Sequence, residues 1–132
     1  MFITSLQIGQ KKIRMDRIPD YKNQQIVTDS LHTRVSSDGV WNEYYSDPLD
    51  DDYMFQVTYS SDQSHQCSVS IRETAPSGGE LVLSGHVSTN SSYSYNYLSA
   101  IIHKGFYIRV FWIKSGDYTK PNELVIKRIP FK

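Results

Sequence analysis

The chain has 132 residues, 14 basic and 14 acidic side chains, and a formal net charge of zero at pH 7. Hydrophobic residues make up 39% and charged residues 21%, too apolar for general disorder and too polar for a membrane-spanning chain. This leaves one soluble globular domain with a single core, and no net field to draw it toward nucleic acid or an anionic bilayer.

The opening "MFITSLQIGQKK" lacks a basic leader followed by a long apolar run and a small-residue cleavage site, so no secretory signal is expected. "FITSLQI" (2–8) and "KKIRMDRI" (11–18) are expected to pair as a hairpin across Gly9-Gln10, with "KKIRMDR" as a solvated strand face rather than a polyanion site. "QQIVTDS" (24–30) offers another short strand. The stretch "SSDGVWNEYYSDPLDDD" (36–52) holds Gly39, Pro48 and six acidic residues, and is predicted to be mostly loop. In an irregular segment Trp41, Tyr44 and Tyr45 are hard to bury, which makes them candidates for exposed anchors on a partner or a glycan. Asp47, Asp50, Asp51 and Asp52 gather just before the next strand, with Glu43 nearby. They are the candidate calcium ligands, because calcium favours closely spaced carboxylates and loop carbonyls, although the fixed EF-hand spacing is absent. A solvated acidic turn is the plainer reading, and no other cofactor is expected.

From residue 53 the pattern is regular. "YMFQVTYS" (53–60) sets Tyr53, Phe55, Val57 and Tyr59 against Met54, Gln56, Thr58 and Ser60, the mark of a half-buried strand. After the polar turn "SDQSH", "QCSVSIRE" turns Cys67, Val69 and Ile71 inward, and the two strands are predicted to form a hairpin. Cys67 is the only cysteine, which excludes an internal disulfide, and its inward position makes it a small buried hydrophobe rather than a nucleophile. "APSGGE" marks a loop, "LVLSGHV" (81–87) a strand, and "STNSS" another break; its "NSS" matches an N-glycosylation pattern by accident in a Ser-rich loop.

In "SSYSYNYLSA" (91–100), Tyr93, Tyr95 and Tyr97 share one face of a strand and Ser94 and Asn96 the other. The Ser/Asn face is expected to be the wet one, with the rings in the core or at a subunit contact, and a sugar platform as the rival. "FYIRVFWIK" (106–114) is the most apolar run and is predicted to be a central strand covered on both faces; "ELVIKRIPF" (123–131) closes the chain, with Pro130 near an edge or end. His32, His65, His86 and His103 show no metal-ligand spacing, and neither a nucleophile elbow nor a phosphate loop is present. No enzyme is expected. The predicted fold is all-β, a single antiparallel β-sandwich of jelly-roll type, with a less regular segment over residues 1–50 and the main strands over 51–131.

"DDDYMFQVTY" and "LSAIIHKGFYIRVFWIKSGDYTKPNELVI" resemble the opening strand and closing strand pair of the bacterial pre-peptidase C-terminal domain and related carbohydrate-binding modules, over residues 50–129. The resemblance implies a small jelly-roll sandwich and, in its carbohydrate-binding members, sugar recognition through exposed rings. It departs from those modules in its irregular N-terminal third and the absence of a linker. By analogy it also looks like the small accessory, decoration or tail proteins of bacteriophage particles. Two functions are therefore carried forward: a virion structural component acting by protein-protein contact, its N-terminal third reaching onto a neighbour, and a carbohydrate-binding module with calcium at the acidic loop.

Overall fold

The computed structural model describes the backbone of residues 5–8, 11–14, 17–62, 66–88, 93–116 and 118–132. Eleven strands run in chain order: β1 (Ser5–Ile8), β2 (Lys11–Arg14), β3 (Gln25–Ile26), β4 (His32–Val35), β5 (Trp41–Tyr45), β6 (Tyr53–Asp62), β7 (Gln66–Thr74), β8 (Glu80–Ser88), β9 (Tyr93–Ile102), β10 (Tyr107–Ile113) and β11 (Glu123–Pro130). Two short 3-10 turns flank β3, and no α-helix occurs among the described residues.

Two antiparallel sheets pack face to face. One has the order β4-β5-β10-β7-β8 and the other β3-β11-β6-β9, while β1 and β2 form a separate two-stranded sheet. With β4 set aside as an addition to β5, the orders β5-β10-β7-β8 and β3-β11-β6-β9 interleave as the two Greek keys of a jelly roll. The all-β sandwich expected from the alternating runs is thus what the chain forms. β1 and β2 pair in the expected register, from Ser5 opposite Arg14 to Ile8 opposite Lys11.

The core follows from the two-residue period. Cys67, Val69 and Ile71 of β7 and Ile108, Val110 and Trp112 of β10 meet Phe55, Val57 and Tyr59 of β6 and Ile126 of β11. Fully burying side chains of this size contributes roughly 1.5–3 kcal/mol each. At the β8 end the sheets come unusually close. A Cβ on Gly85 would overlap the Tyr59 hydroxyl and lie 2.8 Å from Leu98 Cδ2, so glycine here is required by packing rather than by backbone angle.

One expectation is corrected and one is refined. β6 and β7 do not form a hairpin. β6 pairs with β9 and β11, whereas β7 pairs with β8 and β10, so the two strands belong to different sheets. The 36–52 stretch is loop and turn over most of its length, as expected, but not at its centre. "WNEYY" is strand β5, clamped between β4 and β10, and β4 continues into it through a turn at Ser36–Gly39.

Candidate functional site

The outer face of the five-stranded sheet carries a side-chain cluster where β4, β5 and β10 lie side by side. The β4–β5 turn sets it up. Ser36 Oγ donates to Asp38 Oδ1 at 2.5 Å and accepts from the Trp41 amide at 3.0 Å, while the Val40 amide donates to the same Asp38 oxygen at 3.0 Å. The Ser36 hydroxyl and the Val40 amide hold the Asp38 carboxyl below the usual carboxylate range, and Gly39 takes a positive φ of 74°. This local network fixes the backbone at Trp41, whose indole projects outward and remains 46% exposed.

Beside Trp41 lies Phe111 of β10, buried although it points away from the core. The indole meets it edge-on, with centroids 5.7 Å apart, and the Arg72 and Arg109 guanidinium groups stack over its ring at 4.2 and 4.5 Å. Glu43 opposes Phe111 in the β5–β10 register. Its carboxylate is only 4% exposed, a costly place for a charge unless it is paired. Arg109 supplies the pairing: its Nε donates to Oε2 at 3.1 Å, and its Nη2 lies 3.0 Å from the same oxygen as an ion pair. Arg34 Nε sits 2.9 Å from Oε1 but out of line for a hydrogen bond, so its attraction is charge against charge. Glu80 takes Arg109 and Arg72 at 2.9 and 3.1 Å. A hollow of about 150 Å³ opens between Arg34, Trp41, Glu43, Arg109 and Phe111, and a second, of about 140 Å³, lies across the Trp41–Phe111 pair against Ser70, Arg72 and Ser84.

The predicted anchors divide. Tyr45 points outward beneath Arg34, whose guanidinium lies 4.5 Å from its ring. Tyr44 faces the other way, half-buried against the core, with its ring 5.3 Å from Trp112, so it is a core ring rather than an exposed anchor. Trp41 and Tyr45 are brought to one surface because β5 is a strand. Sequence reasoning missed Arg34, Glu43, Arg109 and Phe111. The outward alternation of Arg109 and Phe111 was visible, but their partners became so only once β5 was placed beside β10.

Within the described part of the tyrosine row, Tyr97 does not lie in the core. Asn96 stands on the inner side, where its Nδ2 donates to Tyr59 Oη at 2.9 Å, and Tyr97 is 64% exposed. The side chains of Tyr93 and Tyr95 lie outside the described residues, as do those of His65 and His86.

The four aspartates of the acidic loop do not converge on one point, although Asp51 and Asp52 share the Arg17 guanidinium at 3.4 Å each. Asp47 pairs with His32 Nε2 at 3.1 Å, and Asp50 accepts from the Tyr53 hydroxyl at 2.9 Å. Asp51 accepts the Asp52 amide at 2.8 Å, which is the main reason its carboxyl lies below the usual range, and Asp52 accepts the Lys104 amide at 2.8 Å. No group of three or more His, Cys, Asp or Glu is placed to hold a metal among the described residues.

A second surface is the β8 edge. Among the described residues β8 pairs with β7 alone, and the consecutive residues Leu81, Val82 and Leu83 are 70%, 48% and 41% exposed. Across the mouth of the sandwich, on β9, Ile101 and Tyr97 are also exposed. Nothing in sequence alone separated "LVLSGHV" from a covered strand.

Cys67 is fully buried, and desolvation pushes its thiol up to about 12. No helix is long and apolar enough to cross a membrane among the described residues.

No protein-family model matches this sequence, and no curated protein does. Among solved structures, the chain is similar to the enzymatically active domain of tailspike protein 4 from bacteriophage CBA120. The TM-score is 0.42 and the identity 12%, over 75% of this chain and 14% of that one.

Proposed function

We propose that this protein is a non-enzymatic β-sandwich that works by protein-protein contact, joining copies of itself through β8, as an accessory capsid, decoration or tail component of a virion would. The observation that supports this is the run Leu81-Val82-Leu83, three consecutive exposed apolar residues on an unpaired edge strand. Long open edges are a liability that proteins usually blunt with Lys, Pro, bulges or a covering loop. β8 is nine residues long, contains neither Lys nor Pro, and carries Glu80 as its one acidic residue, already paired with Arg72 and Arg109. An antiparallel β8–β8 pairing about a two-fold axis meets no like-charge clash, and it would extend the five-stranded sheet across two copies. The β1–β2 hairpin adds a second contact element, because an isolated two-stranded sheet is marginal in water without something to pack on.

Light scattering coupled to size exclusion tests this. The wild-type chain is expected to show a concentration-dependent mass of at least twice the monomer. Leu81→Lys and Val82→Lys should each give a monomer with an unchanged circular dichroism spectrum, since both side chains are exposed. A wild-type protein that stays monomeric at high concentration would sink the reading.

A further inference from the structure

We propose that the hollow between Arg34, Trp41, Glu43 and Arg109 is a saccharide site selective for a sugar ring that carries a carboxylate. This goes beyond self-association and uses a different surface. β5 and β8 are separated by β10 and β7, about 14 Å at the usual strand spacing, so one can be occupied while the other is paired.

Charge comes first. Three guanidinium groups (Arg34, Arg72, Arg109) face two carboxylates (Glu43, Glu80) on this face. The Asp38 carboxylate of the β4–β5 turn brings the local count to three against three, so what distinguishes the three guanidinium groups is which still has donors to offer. That group is Arg34, which meets Glu43 Oε1 only through Nε at 2.9 Å, whereas Arg109 is engaged by both Glu43 and Glu80 and Arg72 by Glu80. Arg34 is mostly exposed, and among the described residues no hydrogen bond uses any of its five N–H donors. Glu43 fixes the neighbouring Arg109 in place and, through charge, holds Arg34 at the rim; it is a positioning residue.

Shape comes second. Trp41 leaves about half of its surface open and is braced by Phe111, so it offers a flat apolar surface that needs no reorganisation. A cation would be repelled by Arg34 and Arg109. An inorganic anion would leave the indole unused, and a neutral sugar would leave the guanidinium fork unmatched. A pyranose with a carboxylate satisfies all three, stacking its C–H face on Trp41 and accepting a bidentate pair from Arg34. The two hollows, of about 150 and 140 Å³, sit on either side of the Trp41–Phe111 pair. Ring-sized units spaced along a glycan fit that arrangement better than a continuous peptide backbone does.

The test uses the full chain and its own fluorescence. Trp112 is buried, so Trp41 reports on solvent-side binding. A uronic-acid tetrasaccharide is titrated beside the same compound with its carboxyls reduced to alcohols. A saturable change in emission is expected with the acid and about tenfold weaker binding with the reduced form, weakening further as salt is raised. Arg34→Ala should cost about tenfold and Arg34→Lys, which keeps the charge but not the fork, less. Equal affinity for acid and reduced forms, no saturable response to any acidic saccharide on a glycan array, or a Trp41 response to acidic peptides alone would each overturn the proposal. Because the wild-type comparison needs no variant, a misfolded Arg34→Ala leaves the test intact. Light scattering on the same samples reports self-association separately.

Discussion

The two ends of the five-stranded sheet face solvent in opposite ways. At the β4 end, a four-residue edge strand is tied to β5 by a tight turn and carries His32 and Arg34. The surface behind it is an ionic network around a buried Glu43 and a buried Phe111. At the β8 end, nine residues of backbone lie open beside bare Leu81, Val82 and Leu83. A short, charged edge discourages another strand from docking and leaves side chains free to meet a ligand, whereas a long, uncharged one invites backbone pairing. Together they describe a protein that could assemble through one end and present the other, where repetition across copies multiplies weak binding.

The sharpest way to break the β4 end is Phe111→Ala. Although the ring points outward, its burial beneath Trp41, Arg72 and Arg109 makes it behave as a core residue. The variant should lose about 3 kcal/mol or more of unfolding free energy in denaturant titration. A loss below about 1 kcal/mol would mean that the ion pairs hold the face without the ring.

At the β8 end the corresponding weak point is Gly85. Gly85→Ala forces a methyl against the Tyr59 hydroxyl and Leu98, and overpacking of this kind costs about 1–3 kcal/mol. Tyr59→Phe removes the overlapping oxygen. The double variant should therefore be more stable than the two separate losses predict, a coupling that equilibrium denaturation of the four proteins measures directly. Strict additivity would place the strain elsewhere.

Alkali distinguishes the ends as well. Cys67 and Tyr59 both lie near β8, and burial pushes both groups up to about 12, from ordinary values of 9.0 and 10.0. Each is neutral in the folded chain while its unfolded counterpart ionises. Above pH 9.0 the unfolded state thus binds fewer protons, and the stability these groups give, complete below their unfolded values, is lost as pH rises toward about 12. Cys67→Ala isolates one of them. At pH 7 it should be less stable than wild type by about 1 kcal/mol. From pH 9 upward the gap should close by about 1.4 kcal/mol per pH unit and then reverse. A gap that stays constant to pH 11 would show that the thiol ionises in the folded chain.

What the sequence made legible was direction, not partnership. In "QCSVSIRE" the two-residue period named the inward residues correctly, because a strand buried on one face must alternate. It could not say which sheet a strand joins. A short polar connection suits a hairpin as well as a crossing between layers, and β6 took β9 and β11 as partners from 30 and more residues away. β5 was hidden for a different reason. Glu43 in "WNEYY" reads as loop chemistry, and only Arg109, supplied by β10, makes its burial tolerable. At Asn96 and Tyr97 the two-residue period held, but the polar residue is the one that turns inward. Asn96 goes inward because the Tyr59 hydroxyl, which needs a partner, is waiting in the core.

The smallest expected effect is also the one that separates binding from folding. Trp41 rests on Phe111, but about half of it faces water, and its backbone is held by Ser36 Oγ and the turn rather than by the indole. Trp41→Ala should therefore shift the melting temperature by no more than a few degrees, corresponding to about 1 kcal/mol or less for a domain of this size. Binding at this face should fall much further, since a braced, exposed indole loses little on docking and contributes most where it is covered. A melting temperature that drops as far as that of Phe111→Ala would make the indole part of the fold. The outer face of β5 and β10 would then be a second core closed by its own side chains, with nothing left over to recognise a ligand.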